Sequence, residues 1–586
     1  MSTTYQVTGT NNNALFSLKL HRGDGMVLLA MNWKNGKPSN DFVGFAIEYR
    51  EPASNQFWPI KNRLGFPGQR KKPGDPTIPS TSAPIQKFRW VHFPQNAETP
   101  GAFRYRVTPM FMNARGVMAK GEIQEADIAL MRDTIPGKLN VAFTRGFVSS
   151  QAFVTQFAPD GKLDTLIPDK ANDGLTFKPT KPNADKALEW MGFEARSAIH
   201  DALDKAVAAK AEVRVIAYEL NLPEILTRLE ALGPKLKIII DDSSGSGGGH
   251  AAAGSCESVA EKRLKKSAGA NHVLRQHMAN IQHHKSIAIA GGGLNLLIYG
   301  STNFSWRAFY VQSNNAVIVN SAAAALDYFT AFDTYFGAAS ADDFRSSPPA
   351  AGWHDLGLVN VDAKVSFSPH TSAGGMLGAI GSDIDQAQTS VLFSLAFLGQ
   401  MTKGPIGPAI GRALNKKTVH TLGISDARVG EKNLGVSVLS PDNKKRLVHS
   451  SALTGNVPAP FKTEPTGLAG KTGFGGVRMH HKFIVLDFDT PDARVYLGSY
   501  NFSEAADTEN GENLLLIKDR IVATSYMIEA IRLYDHYRFR SLQQDLKGKG
   551  PKVMELALPP KTKNGKTWWQ KDWDDPVRAR DRTLFA

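Results

Sequence analysis

Two stretches of the chain carry residues able to do chemistry, and they carry them at one spacing. His283 and Lys285 stand two residues apart, as do His480 and Lys482. Each pair opens a short apolar run, a polar turn and a second apolar run that ends in Gly-Ser-x-Asn-Phe-Ser. The copies are Gly300, Ser301 and Asn303 in the first and Gly498, Ser499 and Asn501 in the second. Residues at i and i+2 of a strand leave the same face, so an imidazole and a fixed ammonium emerge together. The antiparallel return puts a serine and an asparagine on one face, beside a glycine that permits close backbone approach. One copy supplies a nucleophile or acid, a cation and neutral donors to bind phosphate. Two copies facing each other supply two imidazoles and two ammoniums around one tetrahedral anion, a set that breaks a phosphodiester with neither metal nor other cofactor. The adjacent histidines at 283–284 and 480–481 have no Cys or carboxylate spacing that completes a zinc site.

The repeat resembles the HKD motif of the phospholipase D superfamily, and its GSxNFS…NxE form is similar to the nuclease-like branch. The copies differ in ways the resemblance makes informative. The second keeps Asp487, seven residues after His480, as a structural member of the motif; the first has Ala290 there. The second has Glu512 fourteen residues past its glycine, where the first has Asn314. In the family this downstream residue orients the histidine of the opposite half, which implies Glu512 behind His283 and Asn314 behind His480. A carboxylate on one imidazole nitrogen raises the basicity of the other, and an amide adds no such charge. His283 is therefore expected to be the nucleophile, through a phosphohistidine, and His480 the general acid. Lys285 and Lys482 are expected to hold phosphoryl oxygens, with Ser301, Asn303, Ser499 and Asn501 as donors. Tyrosyl-DNA phosphodiesterases show a similar asymmetry and also lack the Asp, so Ala290 does not imply an inactive half.

At 586 residues the chain exceeds one compact core. Its net charge of +14 favours a polyanionic partner, a nucleic acid or an acidic membrane face. A single cysteine, Cys256, rules out an intrachain disulfide and fits a cytoplasmic protein. The opening MSTTYQVTGTNNN has no basic region followed by an apolar core, so no signal peptide is expected. Apolar runs such as Val391 to Leu398 are too short to span a bilayer.

The expected architecture is multidomain. Residues 1–135 read as short strands between turn signals, an all-β sandwich in which GFAIEYR and FRYRVTP resemble an immunoglobulin or fibronectin module. Residues 136–348 and 349–546 read as two α/β halves, a pseudo-twofold phospholipase D-like pair built from βαβ units with a mainly parallel sheet. Ser243–Ser255 is a Gly-rich linker or a phosphate-attracting flap at a strand's carboxyl end, followed by a basic helix around Ser258–Ser267. Pro441–Phe474 reads as a long polar loop ahead of His480. His250, His277 and His370 lack a repeated context and are taken as structural or loop residues. In the basic tail 547–586, Trp568, Trp569 and Trp573 either cap the core, stack on bases or anchor at a lipid interface, capping being the default. With both motifs in one chain, a monomer is sufficient for a complete site. The substrate is expected to be DNA or RNA, the alternative being membrane phospholipid, with a non-catalytic binding module as a third class.

Overall fold

The computed structural model describes residues 4–547 and 554–586, omitting 70–76, 95, 131–132, most of 147–164, 169, 246–247, 402–403, 563 and, apart from 447–449, residues 427–478. The expected loop Pro441–Phe474 thus lies almost wholly outside the described residues. The chain divides into two compact units: residues 1–134 with 524–532 and 541–586, and residues 135–523 with 533–540.

The first unit is built on two antiparallel sheets. One runs Gln6–Thr8, Phe16–Gly23, Met26–Trp33, Arg89–His92; the other runs Met118–Lys120, Ala102–Met112, Phe42–Arg50, Trp58–Pro59, with Gln124–Ala129 also on Ala102–Met112. Alternation along each strand sends one face inward. Phe16, Leu18, Leu20, Val27 and Leu29 of one sheet share a core with Phe45, Ile47, Phe103, Tyr105 and Val107 of the other. That is a sandwich. The tail belongs to it: Trp569 is buried in this core with Trp568 and Trp573 against it, and Trp568 Nε1 donates to the Phe42 carbonyl at 2.9 Å. The tail tryptophans cap a core, the default expected of them.

The second unit holds two sheets of one design. The first orders Leu139–Phe143, Asn315–Asn320, Leu294–Gly300, Lys285–Gly291, Glu212–Ala217, Leu236–Ile240, Val273–Arg275. The second orders Asp362–Ser368, Glu512–Lys518, Arg494–Gly498, Lys482–Leu486, Ser390–Leu395, His420–Ser425, Leu447–His449, with His354–Asp355 added at its outer edge. Strand for strand the two correspond, which is the pseudo-twofold pair. The expected mainly parallel sheet is corrected. Among the described strands only Glu212–Ala217 with Leu236–Ile240, the latter with Val273–Arg275, and their counterparts pair in parallel. Parallel pairing needs a crossover helix, here Pro223–Ala231, Cys256–Ala268 and Ile406–Asn415. The motif strands return as antiparallel hairpins, and the strands that flank them are antiparallel partners distant in sequence or reached across a short helix. Strands such as Leu236–Ile240 and Ser390–Leu395, buried along most of their length, are nearly continuous Ile, Leu, Val and Phe, as sheets covered on both faces require. No helix among the described residues is long and apolar enough to cross a membrane.

Candidate active site

Each motif folds as a hairpin: Lys285–Gly291 returns as Leu294–Gly300, and Lys482–Leu486 returns as Arg494–Gly498. His283 and His480 precede the first strand of each. The closing glycines are required. Gly300 has φ +136° and Gly498 φ +141°, and a Cβ there would lie 2.4 Å from the Asn315 carbonyl oxygen and 2.2 Å from that of Asn513. Glycine lets the chain turn against the neighbouring strand, so that Ser301 N–H reaches the Asn315 carbonyl (3.0 Å) and Ser499 N–H the Asn513 carbonyl (3.1 Å).

The two motifs meet through their backbones. His283 N–H donates to the Gly511 carbonyl at 2.8 Å, and His480 N–H to the Ser313 carbonyl at 3.0 Å. The histidine of each half is thereby seated on the segment that carries the downstream residue of the other. His283 Nδ1 lies 2.7 Å from Glu512 Oε2, and His480 Nδ1 lies 3.0 Å from Asn314 Oδ1. Asn314 Nδ2 donates to the Ala308 carbonyl at 3.0 Å, which turns the amide oxygen toward His480. Both imidazoles therefore hold their Nδ1 proton against an acceptor and keep Nε2 for the cleft.

The serines do something other than expected. Ser301 Oγ donates to Asn314 Oδ1 at 2.9 Å and accepts Asn315 N–H at 3.1 Å. Ser499 Oγ accepts Asn513 N–H at 3.0 Å and its hydroxyl donates to Glu512. Each orients the group behind a histidine, and neither lines the cleft. Asn303 and Asn501 do line it, and each presents a buried amide oxygen without a hydrogen-bond partner. A side-chain amide also carries two N–H donors.

The charges are buried together. Lys285 Nζ donates to the His283 carbonyl at 2.5 Å; Lys482 Nζ donates to the His480 carbonyl at 2.9 Å and lies 3.0 Å from His480 Nε2. Burial lowers Lys285 to about 7, against the pull of Glu512, Glu219 and Asp241. Burial and then the Lys285 ammonium hold Lys482 well below the usual lysine range. Burial, followed by the two lysines, depresses both His283 and His480, and burial raises Glu512 to about 8. Four groups that become cationic thus share one desolvated space in which every charge disfavours the next. A phosphate between them reverses that balance. Among the described residues no group of three or more His, Cys, Asp or Glu is arranged to hold a metal.

Asp487 works away from the cleft. Its carboxylate accepts N–H from Gln388, Thr389 and Ser390 at 2.7–3.1 Å, pinning the start of Ser390–Leu395 to the motif hairpin. At the equivalent place Ala290 pairs with Glu212 in the sheet.

Several cleft residues gave no signal in the sequence. The cavity, about 580 Å³, is walled by Tyr218, Phe397, Trp306, Glu219, Glu257 and His250. Tyr218 packs edge-on to His283, with centroids 4.8 Å apart, and Phe397 edge-on to His480 at 6.0 Å. His250 was expected to be a structural or loop residue. It is a cleft wall as well, its Nδ1 2.7 Å from Asp241 Oδ2, while Asp241 Oδ1 accepts Gln282 N–H at 2.6 Å next to His283. All but Trp306 and Glu257 sit just beyond the carboxyl ends of parallel strands, the position where open α/β sheets bind ligands. The described part of the Ser243–Ser255 segment carries this wall. The basic helix that follows, Cys256–Ala268, keeps Lys262, Lys265 and Lys266 exposed, with Lys265 paired to Glu261 and Arg263 to Glu230. His370, by contrast, is buried between Ser366 Oγ and Asp507 Oδ1, both at 2.8 Å, as a brace.

The second histidine of each motif is held across the same junction. Asn513 Nδ2 donates to His284 Nδ1 at 3.0 Å, and Asn315 Nδ2 reaches His481 Nδ1 at 3.2 Å. Each His-His dipeptide therefore grips a dipeptide of the other half, Glu512-Asn513 or Asn314-Asn315.

Comparison with known proteins agrees with this geometry. A family described as cardiolipin synthase, phospholipase D-like domain, matches residues 199–336 and 382–533, which contain both motifs and both downstream residues. Phospholipases D of Rickettsia felis and Rickettsia prowazekii are 44% identical over 48 residues, 8% of this chain and 22% of their own length. Among solved structures, Nuc of Salmonella typhimurium, a phospholipase D family member, is 22% identical, covering 30% of this chain and 96% of Nuc, with TM-score 0.21. Phosphatidylserine synthase of Haemophilus influenzae is 13% identical, covering 63% of this chain and 94% of its own, with TM-score 0.39. With two His-x-Lys hairpins joined back to back and a family match that spans both, the chain belongs to the phospholipase D superfamily.

Proposed function

We propose that the protein is a phosphodiesterase that hydrolyses DNA or RNA through a phosphohistidine on His283. The observation that carries the reading is the unequal pair of hydrogen bonds behind the imidazoles: a carboxylate at 2.7 Å from His283 Nδ1 and an amide at 3.0 Å from His480 Nδ1. In the first step the His283 Nε2 lone pair attacks phosphorus. The bond from phosphorus to the leaving oxygen breaks, and that oxygen takes its proton from His480. Positive charge on His283 is balanced by Glu512. In the second step water gives its proton to His480, attacks phosphorus and releases His283. Lys285, Lys482, Asn303 and Asn501 hold the phosphoryl oxygens, and the anion raises the depressed His480 into the protonated form that the first step needs. The chemistry uses side chains alone and a monomer suffices. The setting read with it is cytoplasmic, and the nuclease-like motif form, GSxNFS…NxE, favours nucleic acid. A second reading, phospholipid as substrate, rests on the names of the rickettsial relatives.

The N-terminal sandwich belongs to the same reading as an immunoglobulin or fibronectin-type module, supported by a four-stranded antiparallel sheet that shares one core with the sheet built on Phe42–Arg50 and Ala102–Met112.

The test is a substrate panel with chelator present: single-stranded DNA, duplex DNA, RNA and phosphatidylcholine vesicles, with rapid quench at alkaline pH to preserve the acid-labile N–P bond. Cleavage of nucleic acid with phosphate on His283 is expected. Turnover of vesicles alone moves the assignment to lipid, and activity lost in EDTA and restored by a metal overturns the mechanism.

A further inference from the structure

The Gly-rich stretch ahead of the basic helix brings one side chain to the cleft, His250, and holds it by every polar group it has but one. His250 N–H donates to the Ser243 carbonyl at 3.0 Å. Its carbonyl accepts Ser255 Oγ–H and an Arg275 guanidinium N–H, both at 2.7 Å. Nδ1 meets Asp241 Oδ2 at 2.7 Å. Nε2 alone has no hydrogen-bond partner among the described residues, on a ring that is 5% exposed and lines the cavity. The approach needs glycine: a Cβ on Gly249 would lie 2.6 Å from the Ser243 carbonyl oxygen. One phenol ring, that of Tyr218, packs edge-on against both His250 and His283, with centroids 4.7 and 4.8 Å away, and Lys285 Nζ lies 4.9 Å from its centre.

Asp241 does not need this imidazole. Its Oδ1 accepts Gln282 N–H next to His283 at 2.6 Å, as Asp426 Oδ1 accepts Met479 N–H next to His480 at 3.1 Å. The two aspartates follow corresponding strands, so this brace belongs to both halves. Asp241 Oδ2 already takes Ser243 N–H and Oγ–H, at 3.1 and 2.5 Å. The carboxylate is satisfied by these bonds alone, and the pairing therefore serves the histidine: it fixes the ring and places a proton on Nδ1.

We infer that His250 is a third imidazole of the reaction site, a substrate-binding residue that donates from Nε2 to an oxygen of the phosphoryl group carried by His283, with Asp241 as its positioning residue. Burial by itself lowers His250, but the Asp241 hydrogen bond and the charges of Glu257 and Glu219 outweigh it and hold the imidazole above its ordinary value, which favours a proton on Nε2 as well. A charged donor with no acceptor of its own, on the wall of a cleft that gathers cations, is complementary to a phosphoryl oxygen. His250 also makes this wall tolerable to an anion, since Glu219 and Glu257 line the same side, the latter held there by Leu220 N–H at 3.1 Å. The departing oxygen lies toward His480 in the proposed reaction, so a group beside His283 touches the part that stays. The inference rests on that proposed reaction, and it adds a residue that lies outside both motifs.

The experiment uses the full chain as wild type, His250→Ala, His250→Gln and Lys482→Ala. Hydrolysis of bis(p-nitrophenyl) phosphate gives kcat and KM, calorimetry gives the affinity for inorganic phosphate, and the denaturant midpoint reports the fold. His250→Leu fills the same space with no donor and stands in where alanine loosens the fold. His250→Ala is expected to raise KM and weaken phosphate by about 10- to 100-fold, the worth of one hydrogen bond to a charged group. It is expected to leave kcat within a few-fold, because the oxygen is charged both before and during the reaction. His250→Gln keeps an N–H donor and is expected to restore most of the affinity and of KM, whatever it does to the midpoint. Unchanged KM and phosphate affinity in His250→Ala show a brace and overturn the inference. So does a loss confined to kcat that His250→Gln fails to restore, the mark of a proton carrier. Lys482→Ala separates the inference from the reaction beneath it. Phosphate binding weakened there and untouched in the His250 variants sinks the inference alone, while a wild type that neither turns over the diester nor binds phosphate removes both.

Discussion

The two catalytic halves share a strand order and a hydrogen-bond plan, and they differ in the group behind each histidine. Glu512 and Asn314 occupy the same place relative to their glycines, stand behind an imidazole at similar distances, and are each oriented by a serine. Duplication supplies a symmetric cage for a symmetric phosphate. One carboxylate then breaks the symmetry, and with it the equivalence of two otherwise interchangeable bases. In the proposed mechanism this difference assigns the roles: the shared geometry frames the site, and the group behind each imidazole distinguishes the two histidines.

The largest effect separates the histidines themselves. His283→Ala is expected to abolish the covalent adduct and lower turnover by at least about 10⁴-fold, since the nucleophile is gone. His480→Ala leaves the nucleophile and removes the proton donor. It is expected to form adduct from a p-nitrophenyl ester, whose leaving group needs no proton, and to stall afterwards. Adduct on His480 in the wild type reverses the roles.

Next come the groups behind them. Glu512→Gln is expected to slow turnover by roughly 10²–10³-fold, and Asn314→Ala by about 10-fold, because the first loses a charge and the second a neutral hydrogen bond. The pH profile gives the sign. His283 attacks as the free base, so losing the carboxylate lowers its pKa and moves the acidic limb to lower pH. His480 acts protonated, so Asn314→Asp raises its pKa and moves the alkaline limb to higher pH. Limbs that stay in place in both variants break the link between carboxylate and role.

Much of this was legible in the sequence because a motif fixes backbone and side chain at once. His-x-Lys, the glycine and the residue fourteen beyond it follow from a hairpin whose neighbour is the next strand. The rest was not. Tyr218, Phe397 and His250 reach the cleft from strand ends whose relation to the motif is set by sheet order, which no local spacing records. Ser301 and Ser499 were legible as residues and not as contacts, since a hydroxyl on the right face points at phosphate or at Asn314 according to an atom on another strand. The mainly parallel sheet was misread because alternating helices and strands mark crossovers, while most neighbours here are antiparallel strands brought together from distant parts of the chain.

A smaller effect tests whether the glycines do the same work in both halves. Gly300→Ala and Gly498→Ala place a Cβ 2.4 Å and 2.2 Å from a carbonyl of the adjacent strand at positive φ. Each is expected to destabilise the catalytic unit by about 3 kcal/mol, seen as a lower denaturant midpoint. Two unequal losses would show that the hairpins are not mechanically equivalent.

The smallest effect probes the second histidine. Tyr335 donates its one proton to the Ser368 carbonyl, so its oxygen, 3.1 Å from His284 Nε2, accepts. His284 therefore carries its proton on Nε2 and offers Nδ1 as the acceptor of Asn513 Nδ2–H, and burial, lowering its pKa to about 3, keeps it neutral. Asn513→Ala removes one neutral hydrogen bond and is expected to cost about 1 kcal/mol of stability and a few-fold in kcat, through looser seating of His283. Asn513→Asp is the sharper variant. It sets a carboxylate against a lone pair, a repulsion that only a second proton on His284 relieves. Since the carboxylate raises the His284 pKa, Asn513→Asp should be the less stable of the two at pH 8 and recover relative to Asn513→Ala as the pH falls toward 6. Parallel stability curves for the two variants between these pH values would show that His284 does not present Nδ1 to Asn513.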